Sequence, residues 1–131
     1  MEELKRAIED LKKRKNTPGT CLGDIRQVLS KFGLRLPPPM PRPHNTAIAN
    51  FEELVQDPQK YGWKAVHHVD GKLPVPYALV YFKKCGDLGD GRQAGHIAIL
   101  DVEKMKHYAN ADHAMTRYWG ERLIGAFVPV E

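Results

Sequence analysis

The sequence predicts a single α+β domain in which N-terminal helices pack on an antiparallel β-sheet. Two observations predict this class: apolar residues recur at helical spacing in the first third of the chain, and short β-prone apolar runs fill much of the remainder. With 131 residues, the chain is long enough for one hydrophobic core. We therefore treat residues 1–131 as one domain, with an N-terminal helix over 1–15 and a core over 16–131.

Three helices are predicted from apolar periodicity and from residues that favour helix ends. A helix over 2–14 buries one face, and a second helix runs from about Cys21 to Phe32 and stops at Gly33. The third helix begins near Asn45 or Thr46, which are both good N-cap residues, and ends near residue 55.

Five strands are predicted after these helices. They cover residues 63–69, 75–83, 96–101, 105–110 and 123–129. Because neighbouring strands follow one another at short spacing, we expect an antiparallel meander.

Composition limits the classes of protein that need consideration. A hydrophobic fraction of 42% and a charged fraction of 27% are ordinary for a globular domain, and no apolar run is long enough to span a bilayer. The first residues lack the apolar segment of a signal peptide, so we expect synthesis in the cytoplasm. The lack of a long apolar run predicts no membrane insertion, and the absence of an obvious dimer stripe predicts a monomer. The net charge of +4 favours an anionic partner, but scattered basic residues and no recognisable motif argue against nucleic acid.

Two residues stand out chemically. Cys21 heads the second helix in TPGTCLGDIRQVL, where free N–H groups and the helix dipole favour a thiolate. His96 opens the apolar strand in AGHIAIL, and an imidazole on a rigid strand can take up and return a proton near neutral pH. Together they predict a cysteine nucleophile with a histidine base, brought together by the fold because they are 75 residues apart.

A third polar residue is expected to orient the imidazole. If the hairpin after His96 turns near Glu103–Lys104, residue 96 faces about position 111, which puts Asn110 or Asp112 beside the ring. His113 is an alternative neighbour next to Asp112.

The other histidines, His67, His68 and His107, lack a partner pattern and are expected at the surface or at strand edges. No cofactor or metal is expected, because Cys21, Cys85 and the histidines lack zinc-ligand spacing. Asp87 and Asp90 could belong to a calcium site, but two carboxylates fall short of a ligand set.

Four segments of the chain resemble the CHAP and NlpC-like peptidoglycan hydrolases, which belong to the papain-like cysteine peptidases and amidases. These segments are TPGTCLGDIRQVL, PVPYALVYF, GHIAIL and YWGERLIGAFVP, and the resemblance extends from about residue 16 onward. It implies a papain-like α+β fold, with 16–131 as the catalytic core and amide bonds of bacterial peptidoglycan as the substrate.

The resemblance also implies roles for individual residues. Cys21 would be the nucleophile, His96 the base and Asn110 the third residue, with Asp112 as the alternative. The oxyanion donor would be the Cys21 amide, with the Asn16 side chain as a second possibility. The sequence departs from the family pattern just before Cys21 and in the long loop before His96, which leaves the oxyanion donor open.

A phage-lysin-type enzyme that reaches the wall after lysis or another form of release fits the absence of a signal peptide. Two other functions stay open. The first is a non-catalytic wall-binding or phage-particle module on the same fold, which would tolerate loss of Cys21. The second is a papain-like toxin or deconjugase that cleaves a different amide.

Overall fold

The protein has the α+β architecture predicted from its sequence. The computed structural model describes residues 1–14, 21–39, 41, 45–69, 72–83 and 94–131. Its helices are α1 (Glu2–Lys12), α2 (Cys21–Lys31), α3 (Ala47–Gln56) and the short α4 (Arg117–Gly120), with a 3₁₀ helix at Pro58–Tyr61. Its strands are β1 (Trp63–Ala65), β2 (Tyr77–Phe82), β3 (His96–Asp101), β4 (Lys106–Tyr108), β5 (Asp112–Ala114) and β6 (Leu123–Pro129).

The three long helices form where local sequence signals predict them. In α1, buried apolar residues recur three and four positions apart, which gives the helix one continuous apolar face: Leu4, Ala7, Ile8 and Leu11. Thr46 is the N-cap of α3, and its hydroxyl accepts a hydrogen bond from the Ala49 amide at 3.1 Å. Of the two predicted caps, the chain therefore uses Thr46.

The described strands form one antiparallel sheet with the order β1-β6-β2-β3-β4-β5. The predicted meander holds only for β2 to β5, because the last strand returns between β1 and β2. Three elements were not predicted, namely β5, α4 and the 3₁₀ helix at Pro58–Tyr61. The first strand is also shorter than expected, since it ends at Ala65. None of the helices among the described residues has the length and apolar character needed to cross a membrane.

The long helices cover one face of the sheet. Tyr81 lies opposite Ile97 on neighbouring strands, and the Tyr81 ring contacts Phe51 of α3 with centroids 5.4 Å apart. The side chains of Tyr81 and Ile97 therefore point toward the helices. Because side chains alternate along a strand, Phe82 and its partner His96 point to the opposite face.

Candidate functional site

Cys21 is the first residue of α2 and lies beside the N-terminal end of β3. The Val102 amide donates to the Pro76 carbonyl at 2.9 Å, so even-numbered residues of β3 bond to β2 and odd-numbered residues face β4. Pairing between β3 and β4 stops at Ile99, so neither residue 98 nor Ile97 is paired with β4. The Ile97 amide thus faces a position that β4 does not fill, and it lies close enough to the Cys21 sulfur to stabilise a thiolate.

Burial dominates the ionisation of Cys21. It raises the pKa of the thiol above its ordinary value, although the amides of Ile97, Leu22 and Cys21 act in the opposite direction. The Asp24 carboxyl, one turn along α2, also disfavours the anion. The expected thiolate bias is therefore not realised, because removing the sulfur from water costs more than the nearby donors return.

Aromatic rings surround His96 on the sheet face opposite the helices. Its ring centroid lies 5.1 Å from that of Trp119 and 5.9 Å from that of Phe82. Two further imidazoles are close, with His107 at 5.6 Å and His113 at 6.0 Å. We call these three histidines, His96, His107 and His113, the histidine cluster.

Burial keeps the deepest members of the histidine cluster neutral. It lowers the pKa of His96 to about 4, and the nearby His113 contributes a smaller effect. It lowers the pKa of His107 to about 3, with smaller contributions from His96 and His113. Nε2 of His96 and both ring nitrogens of His107 are buried without a hydrogen-bond partner in the described part of the chain. Neutral rings are favoured here because burial removes the solvent that would stabilise an imidazolium, and the neighbouring histidines act in the same direction.

Cys21 and His96 lie at the same end of β3, but the hydrogen bonds near the Cys21 sulfur come from backbone amides, and Nε2 of His96 has no partner among the described residues. The sulfur lies near the amide of Ile97, the residue that directly follows His96. The His96 imidazole points to the sheet face opposite the long helices, where it contacts His107. The fold thus brings the two predicted residues to neighbouring backbone positions, as a neutral thiol and a neutral imidazole.

The predicted hairpin register after His96 is confirmed. Ile99 pairs with Tyr108, and continuing this register would place residue 111 opposite His96. The strand ends first, because the chain turns at 109–111 and β5 pairs back onto β4. Asn110 lies in this turn, and Asp112 follows it with its carboxylate 3.8 Å from the Lys106 ammonium. The role of Asn110 as third residue stays a prediction, as does that of Asp112.

His107 was placed wrongly by the sequence interpretation. It is completely buried rather than at the surface or a strand edge, because it pairs with Leu100 and points to the face that carries His96. His113 pairs with His107 across the next hairpin. The signal for this hairpin was present, since Asn110 lies midway between the two histidines in a segment of small and turn-forming residues.

Within the described ranges, no group of three or more His, Cys, Asp or Glu side chains is arranged to hold a metal ion. Several residues singled out from the sequence lie outside those ranges, so their placement is not described: Asn16, Cys85, Asp87 and Asp90.

Comparison of the chain with protein-family models, with curated proteins and with solved structures finds no match.

Proposed function

We propose that this chain is a cysteine-dependent hydrolase with a papain-like fold that cleaves amide bonds in bacterial peptidoglycan, as an endopeptidase or an amidase. The observation that carries the proposal is the position of Cys21 at the start of α2, beside the Ile97 amide and next to the strand position of His96. A nucleophile at a helix N-terminus next to a base on a rigid strand suits acyl transfer. The net charge of +4 suits an anionic polymer.

In this mechanism, the His96 side chain turns from the histidine cluster toward Cys21 when substrate enters the site, and its imidazole then accepts the Cys21 proton. The thiolate then attacks the amide carbonyl, and the amides near Cys21 stabilise the oxyanion. The imidazolium protonates the leaving amine, and water hydrolyses the thioester. The resting pair is neutral, so the proton moves only as the reaction begins.

Support for an orienting residue comes from the histidine cluster. The ring centroid of His113 lies 6.0 Å from that of His96, whereas neither ring nitrogen of His107 has a hydrogen-bond partner among the described residues. One imidazole nitrogen of a neighbour can fix which nitrogen of His96 carries the proton. Asn110 in the adjacent turn is the alternative that the family resemblance implies.

The proposal is tested by incubating purified peptidoglycan with the wild type and with Cys21→Ala and His96→Ala. We expect new amino groups from the wild type and no release above background from either variant. Cys85→Ala and His67→Ala are the matched controls, because each removes a residue of the same type outside the proposed machinery, and both should retain activity.

Other outcomes contradict the proposal in different ways. New reducing ends would identify a glycosidase. Binding to peptidoglycan without release of amines, and equally by Cys21→Ala, would identify a non-catalytic module. Cleavage of a peptide conjugate but not of peptidoglycan would support the cysteine mechanism and contradict peptidoglycan as the substrate.

Thiol reactivity gives an independent measurement. In Cys85→Ala protein, the rate of Cys21 alkylation by iodoacetamide should rise with pH at a midpoint above that of a free cysteine, about 8.5, because burial raises the pKa of the thiol. A midpoint below neutral pH would show that the donors near Cys21 outweigh its burial.

A further inference from the structure

A cavity of about 290 Å³ lies between α2 and the segment that follows it, away from Cys21 and from the histidine cluster. Arg26 of α2 and Arg35 of the following segment line it. Leu34, Leu36 and Pro38 provide an apolar wall. The cavity thus combines two cations with apolar surface.

Neither arginine has a carboxylate partner in the described part of the chain. Nη1 of Arg26 donates to the Pro37 carbonyl at 2.6 Å, and Nη2 of Arg35 donates to the Lys60 carbonyl at 3.3 Å. Nη2 of Arg26 is buried and has no acceptor among the described residues. Burial also lowers the pKa of the Arg26 guanidinium, which indicates a cation whose charge is poorly compensated.

Some other arginines have a carboxylate partner, whereas Arg122 bonds the Tyr118 carbonyl. Arg14 lies 3.4 Å from the Asp10 carboxylate, and Arg117 lies 2.7 Å from Glu121. Arg26 and Arg35 differ from these because their neighbours are carbonyl groups, which compensate a positive charge less than a carboxylate does.

The remaining residues that line the cavity, Ser30 and Tyr61, carry hydroxyl groups. Ser30 contributes a hydroxyl group, and Tyr61 donates its phenolic hydrogen to Glu53 at 3.3 Å. The Lys60 ammonium lies 5.5 Å from the centroid of the Tyr61 ring, so a third cation is close to this side. The Tyr61 side chain therefore contacts one acidic residue, Glu53, and one basic residue, Lys60.

We propose that this cavity binds the carboxylate of a small aliphatic acid, held by Arg26 and Arg35. A guanidinium matches a carboxylate through two parallel hydrogen bonds. The apolar wall would hold the aliphatic part of the ligand. The site does not depend on the hydrolase proposal, because it involves neither Cys21 nor His96.

The test follows the Nε–H signals of the arginines by NMR in Cys21→Ala protein, so that no hydrolysis occurs. N-acetyl-leucine is titrated against N-acetyl-leucinamide, which has the same apolar group without the charge. We expect saturable shifts of the Arg26 and Arg35 signals with the acid. The affinity for the amide should be lower by about tenfold or more, because the charge-assisted hydrogen bonds to the carboxylate are lost.

Two variants separate binding from folding. Arg35→Gln and Arg26→Gln should each weaken acid binding about tenfold or more, and exposed Arg117→Gln should leave it unchanged. Since Arg26 also bonds Pro37, its variant is checked by circular dichroism, and Arg35→Gln decides the result if Arg26→Gln does not fold. Equal binding of acid and amide, unchanged affinity in Arg35→Gln, or no saturation at the highest soluble concentration would each overturn the proposal. Hydrolysis without acid binding would leave the proposed function intact.

Discussion

Acid should destabilise this protein well before its carboxylates titrate, because two histidines are buried as neutral rings. Below pH 6.5 the unfolded chain binds a proton on each, whereas the folded chain resists until about pH 4 at His96 and about pH 3 at His107. The unfolded state therefore binds more protons across this range. Stability falls as the pH drops below 6.5 and levels off once both folded-state rings are charged.

The magnitude follows from these pKa values. Between about pH 8 and about pH 5, each histidine should remove about 2 kcal/mol from the free energy of unfolding, so His96 and His107 together remove about 4 kcal/mol. This is a large part of the stability of a typical domain, which is about 5–15 kcal/mol. Urea denaturation across this pH range measures the loss directly.

A variant isolates the contribution of one ring. His107→Leu removes a buried titrating group and should roughly halve the loss of stability between these pH values, whereas His67→Gln, at an exposed position, should not change it. A total loss under about 1 kcal/mol, or the same loss in His107→Leu as in the wild type, would refute the argument from burial.

Three further predictions concern individual packing and backbone features. Tyr81→Phe should cost about 1–3 kcal/mol of unfolding free energy, because the Tyr81 hydroxyl donates to Asn50 Oδ1 at 2.6 Å in a buried site. Gly95→Ala should cost more than Gly62→Ala, as measured by urea denaturation: both glycines have positive φ, but only at Gly95 would the new Cβ meet backbone and side-chain atoms closer than 3.0 Å. Thr46→Ala should cost about 1 kcal/mol, because α3 loses its N-cap hydrogen bond.

Each of these three predictions has a control variant that lacks the proposed source of destabilisation. Tyr118→Phe changes an exposed phenol and should stay within about 0.5 kcal/mol of the wild type. Thr46→Ser retains the capping hydroxyl and should stay close to the wild type. Equal costs for Gly95→Ala and Gly62→Ala would show that Ile48 and its surroundings relax around the added methyl group.

Local patterns were sufficient for the long helices and for most strand positions. The apolar spacing of α1 and the capping hydroxyl of Thr46 act within a few residues, so they can be recognised without the fold. The strand His96–Asp101 was predicted with its observed ends. The short β5 and α4 were missed, because three or four residues carry too little periodicity to identify.

The candidate site could be predicted only in part. The sequence context of Cys21 and His96 identified two residues that the fold brings to neighbouring backbone positions. The ionisation of the thiol was not predictable, because burial opposes the helix terminus and depends on what packs around it. The burial of His107 was equally hidden, since it results from pairing across two hairpins.

The sequence by itself determined the α+β class, the three long helices and the two residues proposed to react, because these follow from periodicity and from chemistry within short segments. Only the tertiary structure decided the place of β6 between β1 and β2, the neutral state of the Cys21 thiol and the composition of the histidine cluster. The physical reason is that strand order, desolvation and ring contacts depend on residues far apart in the chain, and their free energies exist only once those residues pack together.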